Sequence, residues 1–263
     1  MSSPITSGLI IKHRKIRDEY YEMEFIAPEL ARQAEPGQFL HLKVGDNHDP
    51  LLRRPISIAD VDKAQGTITL LYRVVGRGTE LLSRLPVEAR IDLMGPLGNG
   101  FTTDDSRKSV LVVGGGIGVA PLVYLTRVLI SQGVYVQALL GAANSHHLLG
   151  RNRLQLLGAQ VSCSTDDGSL GLQGRVTDLL DEVLTQRRFD YYYACGPMAM
   201  LQTLQQIGET ENIAGELSLE AHMACGIGAC LGCAHPVKRL GTTYAKVCVD
   251  GPVFSAREVV FDA

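Results

Sequence analysis

The sequence predicts a β plus α/β chain: a six-stranded antiparallel barrel, a parallel-sheet domain, and a small cysteine-rich module at the C-terminal end. Three observations predict it. Short strand-like runs fill residues 5 to 102, strand and helix patterns alternate from 107 to about 213, and four of the six cysteines fall after residue 220. The expected divisions are therefore 1–102, 103–214 and 215–263.

The first part offers six runs of strand length: "GLIIKHRKI", "YYEMEFIAP", "GQFLHLKVG", "RRPISIAD", "TITLLYRVV" and "RIDLMGP". Several alternate or are rich in β-branched residues, and only "GTELLSRL" has helical spacing. Six strands with one short helix suit a small closed barrel. "GPLGNGF", residues 95 to 101, is expected to be a hinge. Beyond it, "SVLVVGGG" is a continuous apolar strand ending in glycines, and "VAPLVYLTRVLISQG" is an amphipathic helix. Strands "YVQALLGA", "QVSCST" and "YYYACG" then alternate with helices ending near Leu157, at "VTDLLDEVLTQ" and at "MAMLQTLQQIG". That rhythm marks a parallel sheet with helices on its faces. From about 215 little regular pattern is legible.

Composition narrows the function classes. With 263 residues, 45% hydrophobic and 20% charged, the chain can bury a sizeable core. A net charge of -3 and a pI near 6.2 supply no electrostatic footprint for nucleic acid. No apolar run approaches the roughly 20 residues that span a bilayer. The start, "MSSPITSGLIIKHRKI", lacks the apolar h-region of a secretory signal. A cytoplasmic location is expected, where disulfides are rare.

Five motifs carry chemistry. In "VLVVGGGIGVAPL", Gly114, Gly115, Gly116 and Gly118 stand where a strand turns into a helix. Such a turn admits a pyrophosphate to backbone N–H groups, although glycine-rich packing would look the same. "YYYACGPMAM" breaks a second strand end at Cys195, Gly196 and Pro197, so the two ends could line one crevice. Cys195 alone reads as a small buried hydrophobe. In "LLRRPISIAD", Arg54 offers a rigid fork to a phosphate and Ser57 a hydroxyl, the alternative being an exposed arginine on an edge strand. "YRVVGRGTELL" adds a turn at Gly76 and Gly78, with Thr79 as candidate N-cap.

The fifth motif is the cysteine pattern C-x4-C-x2-C-x14-C, formed by Cys225, Cys230, Cys233 and Cys248. Plant-type [2Fe–2S] proteins use this C-x4-C-x2-C core with a distant fourth cysteine. Structural zinc sites more often use two close pairs. Gly226, Gly228, Ala229 and Gly232 would let backbone N–H groups reach the sulfurs. His222 and His235 flank the cluster and read as structural or solvated; Cys163 reads as core, and Asp166-Asp167-Gly168 as a turn. No Ser–His–Asp set is visible.

Taken together, "LLRRPISI", "GPLGNGF", "GGGIGVAPL" and "MACGIGACLGC…KVCVDGPVF" resemble one family. The first two parts are similar to the flavin and pyridine-nucleotide domains of the ferredoxin reductase superfamily. With the tail, almost the whole chain resembles the electron transfer subunits of NAD-dependent class 1B dihydroorotate dehydrogenases. The resemblance implies FAD on Arg54, Pro55, Ile56 and Ser57, on Leu71, Tyr72 and Arg73, and on Gly78 and Thr79. It implies a [2Fe–2S] cluster on Cys225, Cys230, Cys233 and Cys248. It places NAD between Gly114–Gly118 and Cys195–Pro197; the lack of arginine in "GAANSHH" favours NAD over NADP. It further implies an FMN-containing catalytic partner in a heterotetramer serving pyrimidine biosynthesis, since this chain has no room for a (β/α)₈ barrel of about 250 residues. Ile227, Leu231 and Val253 are candidates for that contact. Two alternatives stand beside this reading: an NAD(P)H reductase subunit linked to sulfide, hydrogenase or ferredoxin chemistry, and a non-catalytic redox sensor.

Overall fold

The structure is a computed structural model and describes residues 5–45, 49–104, 106–239 and 241–261. Its first part contains β1 (Ile5–Arg17), β2 (Tyr20–Ile26), α1 (Pro28–Gln33), β3 (Phe39–Leu42), β4 (Arg54–Asp62), β5 (Thr67–Arg73), α2 (Arg77–Ser83) and β6 (Arg90–Leu97). The six strands close into an antiparallel barrel in the order β1-β2-β5-β4-β3-β6. All six expected strands are present. Inward side chains such as Ile10, Phe25, Leu40, Leu42, Ile58, Ile68 and Leu70 are fully buried, each worth about 1.5–3 kcal/mol of apolar burial. Helix α1 was not legible in the sequence. It has six residues, starts at Pro28, and packs Leu30 and Ala31 into the barrel core.

The second part runs β7 (Ser109–Gly115), a 3₁₀ turn at Gly116–Val119, α3 (Ala120–Ser131), β8 (Tyr135–Ala142), α4 (Arg151–Leu157), β9 (Gln160–Thr165) and β10 (Leu172–Gln173). A second 3₁₀ turn at Val176–Leu179 leads into α5 (Leu180–Gln186), followed by β11 (Tyr191–Cys195), α6 (Met198–Thr210) and β12 (Ala214–Ser218). Along β7, Val110 and Val112 pack with Leu122 and Val123 of α3, while Leu111 and Val113 pack on the opposite face with Leu180 and Leu201. Burial on both faces explains the unbroken apolar run. Helix α3 is buried nearly all round rather than amphipathic, because the sheet covers one side and β4 of the barrel the other. There the Tyr124 hydroxyl donates to the Ala34 carbonyl at 3.2 Å and Arg127 donates to Asp60 at 2.8 Å. A second clamp is Glu22 of β2, held by Lys12 at 2.6 Å, Arg14 at 3.1 Å and Arg153 of α4 at 3.4 Å.

The tail is more regular than its sequence suggests. It forms a hairpin, β13 (Ala234–Arg239) with β14 (Thr242–Lys246), and a short strand β15 (Val253–Ser255). The sheet order is β10-β9-β8-β7-β11-β12-β15, with β15 antiparallel to β12. The strand β12 straddles the boundary expected at 214. Cys233, Val237, Val247, Cys248 and Phe254 pack in the same apolar cluster as Leu111, Leu139 and Leu217, so the tail shares the core of the sheet. Val253, expected at an interface, is buried at 6% exposure because β15 completes that sheet. The expected hinge is pinned at both sides: Asn99 N–H donates to the Gly251 carbonyl at 2.6 Å and Phe101 N–H to the Pro36 carbonyl at 2.7 Å. Among the described residues, no helix is long and apolar enough to cross a membrane.

Candidate cofactor sites

The beginning of β4 and the end of β5 lie side by side at one rim of the barrel. Arg54, Pro55, Ile56, Ser57, Leu71, Tyr72, Arg73 and Thr79 there line a cavity of about 430 Å³. The far wall comes from Ile117 and Ala120 of the second part and from Ser218 to Ala221, Met223 and Pro252. Gly78 lies beneath Arg54: a Cβ at Gly78 would sit 2.0 Å from the arginine Nε. The fork is held by donation from its Nη1 to the Leu52 carbonyl at 2.7 Å and the Arg53 carbonyl at 3.1 Å. The structure places the helix N-cap at Gly76, with Thr79 three residues in. The Thr79 Oγ1 accepts from the backbone N–H groups of Val75 and Gly76 at 3.0 and 3.2 Å, which fixes the turn. The Tyr72 ring stacks on Tyr21 at 5.7 Å, and its hydroxyl meets His13 Nε2 at 2.8 Å. Burial pushes that phenol upward, so it stays a neutral part of the wall.

The sheet has its switch point between β7 and β11, whose neighbouring chain ends pair Gly114 with Cys195. Gly115, Gly116, Gly118, Gly196, Pro197, Tyr20, Arg73 and Glu220 line a cavity of about 560 Å³ there. A Cβ at Gly118 would lie 2.4 Å from the Cys195 carbonyl oxygen, and one at Gly115 2.6 Å from Pro197 Cδ. These glycines let two strand ends touch while leaving backbone open to a ligand. Gly114 and Cys195 do something else. Gly114 packs against Leu140 and Leu122, and Cys195 is buried at 1% exposure with its thiol pushed up by desolvation. An adjoining cavity of about 580 Å³ extends under β8 and β9 and is lined by Ala142, His147, Asp166, Arg175 and Thr177.

The cysteines sit in the loop leading to β13 and just after β14. The Cys230 N–H donates to Cys225 Sγ at 3.4 Å, and the Gly232 N–H to Cys230 Sγ at 3.5 Å. Burial opposes ionisation of Cys225, but the backbone N–H groups of Ile227, Cys230 and Ala229 outweigh it and bring that thiol down to about 6. Cys233 and Cys248 lie buried with their sulfurs 3.2 Å apart, and burial first, then Cys233, pushes Cys248 up to about 12. All four are free thiols. Among the described residues no three metal-ligating side chains converge on one ion position. The Cys233 and Cys248 sulfurs approach each other, while Cys225 Sγ accepts from the Cys230 N–H. A single tetrahedral zinc requires all four around one point, whereas a two-iron cluster divides its four thiolates between two metals. The donor set fits the cluster.

Comparison with known proteins agrees. Residues 220–260 match the iron–sulfur cluster binding domain of dihydroorotate dehydrogenase B, and residues 112–206 match an oxidoreductase NAD-binding domain. The electron transfer subunit of dihydroorotate dehydrogenase B (NAD(+)) from Desulforamulus reducens is 43% identical over 243 residues, covering 92% of this chain and 93% of that protein. The corresponding subunit from Bacillus velezensis is 44% identical over 248 residues, covering 93% and 94%. The chain belongs to the family of dihydroorotate dehydrogenase B electron transfer subunits. It is an electron transfer component of an NAD-dependent oxidoreductase on a ferredoxin-reductase-like fold. A chain of the NADH-dependent reduced ferredoxin-NADP oxidoreductase superposes with a TM-score of 0.86 at 29% identity, covering 96% of this chain and 89% of that one. The ferredoxin reductase in carbazole 1,9a-dioxygenase shares the fold, with a TM-score of 0.67 at 20% identity over 80% of this chain and 67% of that one.

For a dihydroorotate dehydrogenase B subunit, three residues at these sites escaped the sequence reading. Glu220 lines both the cavity beside Arg54 and the crevice, and is exposed between them. Its only sequence signal was its place just after the last parallel strand. Tyr20, at the start of β2, reaches the crevice across the barrel rim. Arg175 enters the adjoining cavity from the loop after β10, whereas no arginine lies in "GAANSHH".

Proposed function

We propose that this chain carries electrons from an FMN-containing dihydroorotate dehydrogenase catalytic subunit, through a [2Fe–2S] cluster on Cys225, Cys230, Cys233 and Cys248 and through FAD, to NAD+. The assembly is a cytoplasmic heterotetramer of two catalytic and two electron transfer subunits in pyrimidine biosynthesis. One observation carries the reading: residues 218–221 and Met223 wall the cavity beside Arg54 and Ser57, Glu220 to His222 also line the crevice at the strand ends, and the same segment runs directly into Cys225. A flavin there lies between the other two groups. Bound flavin supplies the exchange between two-electron hydride chemistry and one-electron transfer.

The chain's own residues position these groups. Arg54 offers a fixed fork to the flavin pyrophosphate, Ser57 a hydroxyl near the ring, and Ile56 and Leu71 an apolar wall that excludes water. Gly115, Gly116 and Gly118 open the strand end to the nicotinamide nucleotide. Around the cluster loop Ile227 and Leu231 are 55% and 63% exposed. Exposed apolar residues of this kind mark a surface that a partner covers.

The decisive experiment is reconstitution. The isolated chain should oxidise NADH with an artificial acceptor but not reduce NAD+ with dihydroorotate, and adding the FMN-containing partner should restore the second reaction. Oxidation of dihydroorotate by the isolated chain would overturn the division of labour. The likeness to the ferredoxin-NADP oxidoreductase chain favours one second reading, a reductase subunit serving ferredoxin. Co-purification of a ferredoxin-linked polypeptide instead of the FMN subunit would select it.

A further inference from the structure

The outer face of β3 presents Phe39 and His41, while Leu40 and Leu42 point into the barrel. Phe39 joins Met94, Leu97, Cys233 and Cys248 in the apolar cluster beneath the tail. His41 occupies the next position on that face, paired in register with Pro55 of β4 and Met94 of β6. It is fully buried, and among the described residues neither ring nitrogen has a partner in hydrogen-bond geometry. Leaving such groups unsatisfied in the interior costs stability. A leucine would pack there at no such cost.

The ring is aimed at the cysteine loop. A Cβ built on Gly226 would lie 2.6 Å from His41 Nδ1, and Gly226 follows Cys225 directly, with φ +70°. The glycine therefore serves two ends: it takes the left-handed backbone and admits the imidazole edge. Whether neutral or protonated, the imidazole carries at least one N–H to donate.

We propose that His41 is a positioning residue for the cluster: its Nδ1–H donates a hydrogen bond to the sulfur atoms held at Cys225 and so raises the reduction potential. The inference rests on the cluster reading of the four cysteines. Reduction adds negative charge to the sulfurs, and an N–H aimed at them stabilises the reduced form more than the oxidised one. The same strand pairs with Arg54 and Pro55, so one element would set both the flavin rim and the cluster's electronic surroundings.

The test uses the full chain with both groups loaded. Two irons and two labile sulfides per chain, counted first, establish the cluster; zinc without sulfide would take the cluster reading and this inference down together. In protein labelled with ¹⁵N-histidine, pulsed EPR of the reduced cluster should show a weak nitrogen coupling that is lost in His41→Gln. A redox titration of His41→Leu should show the reduction equilibrium falling about tenfold, which is about 59 mV for one electron. His41→Gln, which keeps a donor, should recover most of it. A fully loaded His41→Leu with unchanged potential, or labelled wild-type protein without the coupling, would refute the role of His41 while leaving the cluster standing.

Discussion

Glycines crowd both the end of the nucleotide-binding sheet and the cysteine loop, but they answer different demands. At the sheet, Gly118 is required because backbone meets backbone: its missing Cβ would fall 2.4 Å from the Cys195 carbonyl oxygen. In the loop, a Cβ built on Gly232 would have, among the described residues, only Cys230 Sγ within 4 Å, at 3.6 Å, and the need is for the glycine N–H to turn toward that sulfur. The cysteines divide the same way. Cys163 and Cys195 lie in the sheet with pKa values raised by burial, whereas Cys225 is held low by N–H groups aimed at it. Burial alone does not separate the proposed ligands from the packing thiols, since Cys233 and Cys248 lie in the apolar cluster and burial raises Cys248 too; what sets that pair apart is the approach of its sulfurs to 3.2 Å.

The largest expected effect tests that division directly. Serine at Cys225, Cys230, Cys233 or Cys248 should abolish the visible absorbance of an iron–sulfur cluster in anaerobically purified protein, while Cys163→Ala should leave it intact. Equal bleaching by Cys163→Ala would erase the distinction. Next comes Gly118→Ala, which forces the ends of β7 and β11 apart. Overpacking of this kind costs about 1–3 kcal/mol, readable in urea unfolding together with weakened NADH binding. Gly232→Ala, in open space, should stay within about 0.5 kcal/mol. Third, Arg54→Ala removes a charged donor from the flavin rim and should weaken FAD retention by about 1.5–3 kcal/mol, measured by fluorescence titration. Unchanged affinity would mean that the fork faces elsewhere.

Local pattern carried much of this molecule. "YVQALLGA" and "QVSCST" are β8 and β9 residue for residue; β8 shows as the largely apolar run of a strand buried on both faces, whereas the mostly polar β9 was legible from its place in the strand–helix alternation. The cysteine spacing was legible for a similar reason: ligand chemistry fixes it within one short loop. What stayed hidden depends on crossings between distant segments. β15 has three residues and acquires strand geometry only by pairing with β12, so Val253 reads as exposed until its partner is known. Glu220 and Arg175 reach their cavities because of where β12 and β10 fall in the sheet order, not because of their neighbours in sequence. His41 looks like any polar position in an alternating strand. Only the packing of the tail over its face leaves it buried.

The smallest expected effect lies where sheet, tail and barrel exit meet. Glu216 of β12 is paired in register with Tyr193 on one side and Ser255 on the other, and is 7% exposed. Its carboxylate accepts from the Thr102 N–H and from Thr102 Oγ1, each at 2.9 Å. Burial raises its pKa, and the Thr102 bonds and the Arg107 charge offset only part of that. In the folded state the carboxyl therefore holds its proton to higher pH than in the unfolded chain. Between the ordinary carboxylate value and the raised one, the native state binds more protons, so stability contributed by Glu216 falls as pH rises. His41 and Glu22, whose pKa values are lowered, act in the opposite sense across acid pH, so the total slope of the wild-type protein is not diagnostic. The difference between wild type and Glu216→Gln is. Glutamine cannot titrate, and both proteins share every other group. Urea melts from pH 4.5 to 8 should show the stability of the wild type declining relative to Glu216→Gln, by no more than about 1.4 kcal/mol per pH unit, and levelling once the carboxyl is ionised. A difference that is flat, or that grows in favour of the wild type with rising pH, would show that the donors of Thr102 outweigh burial and that this joint is built around a carboxylate ionised at low pH.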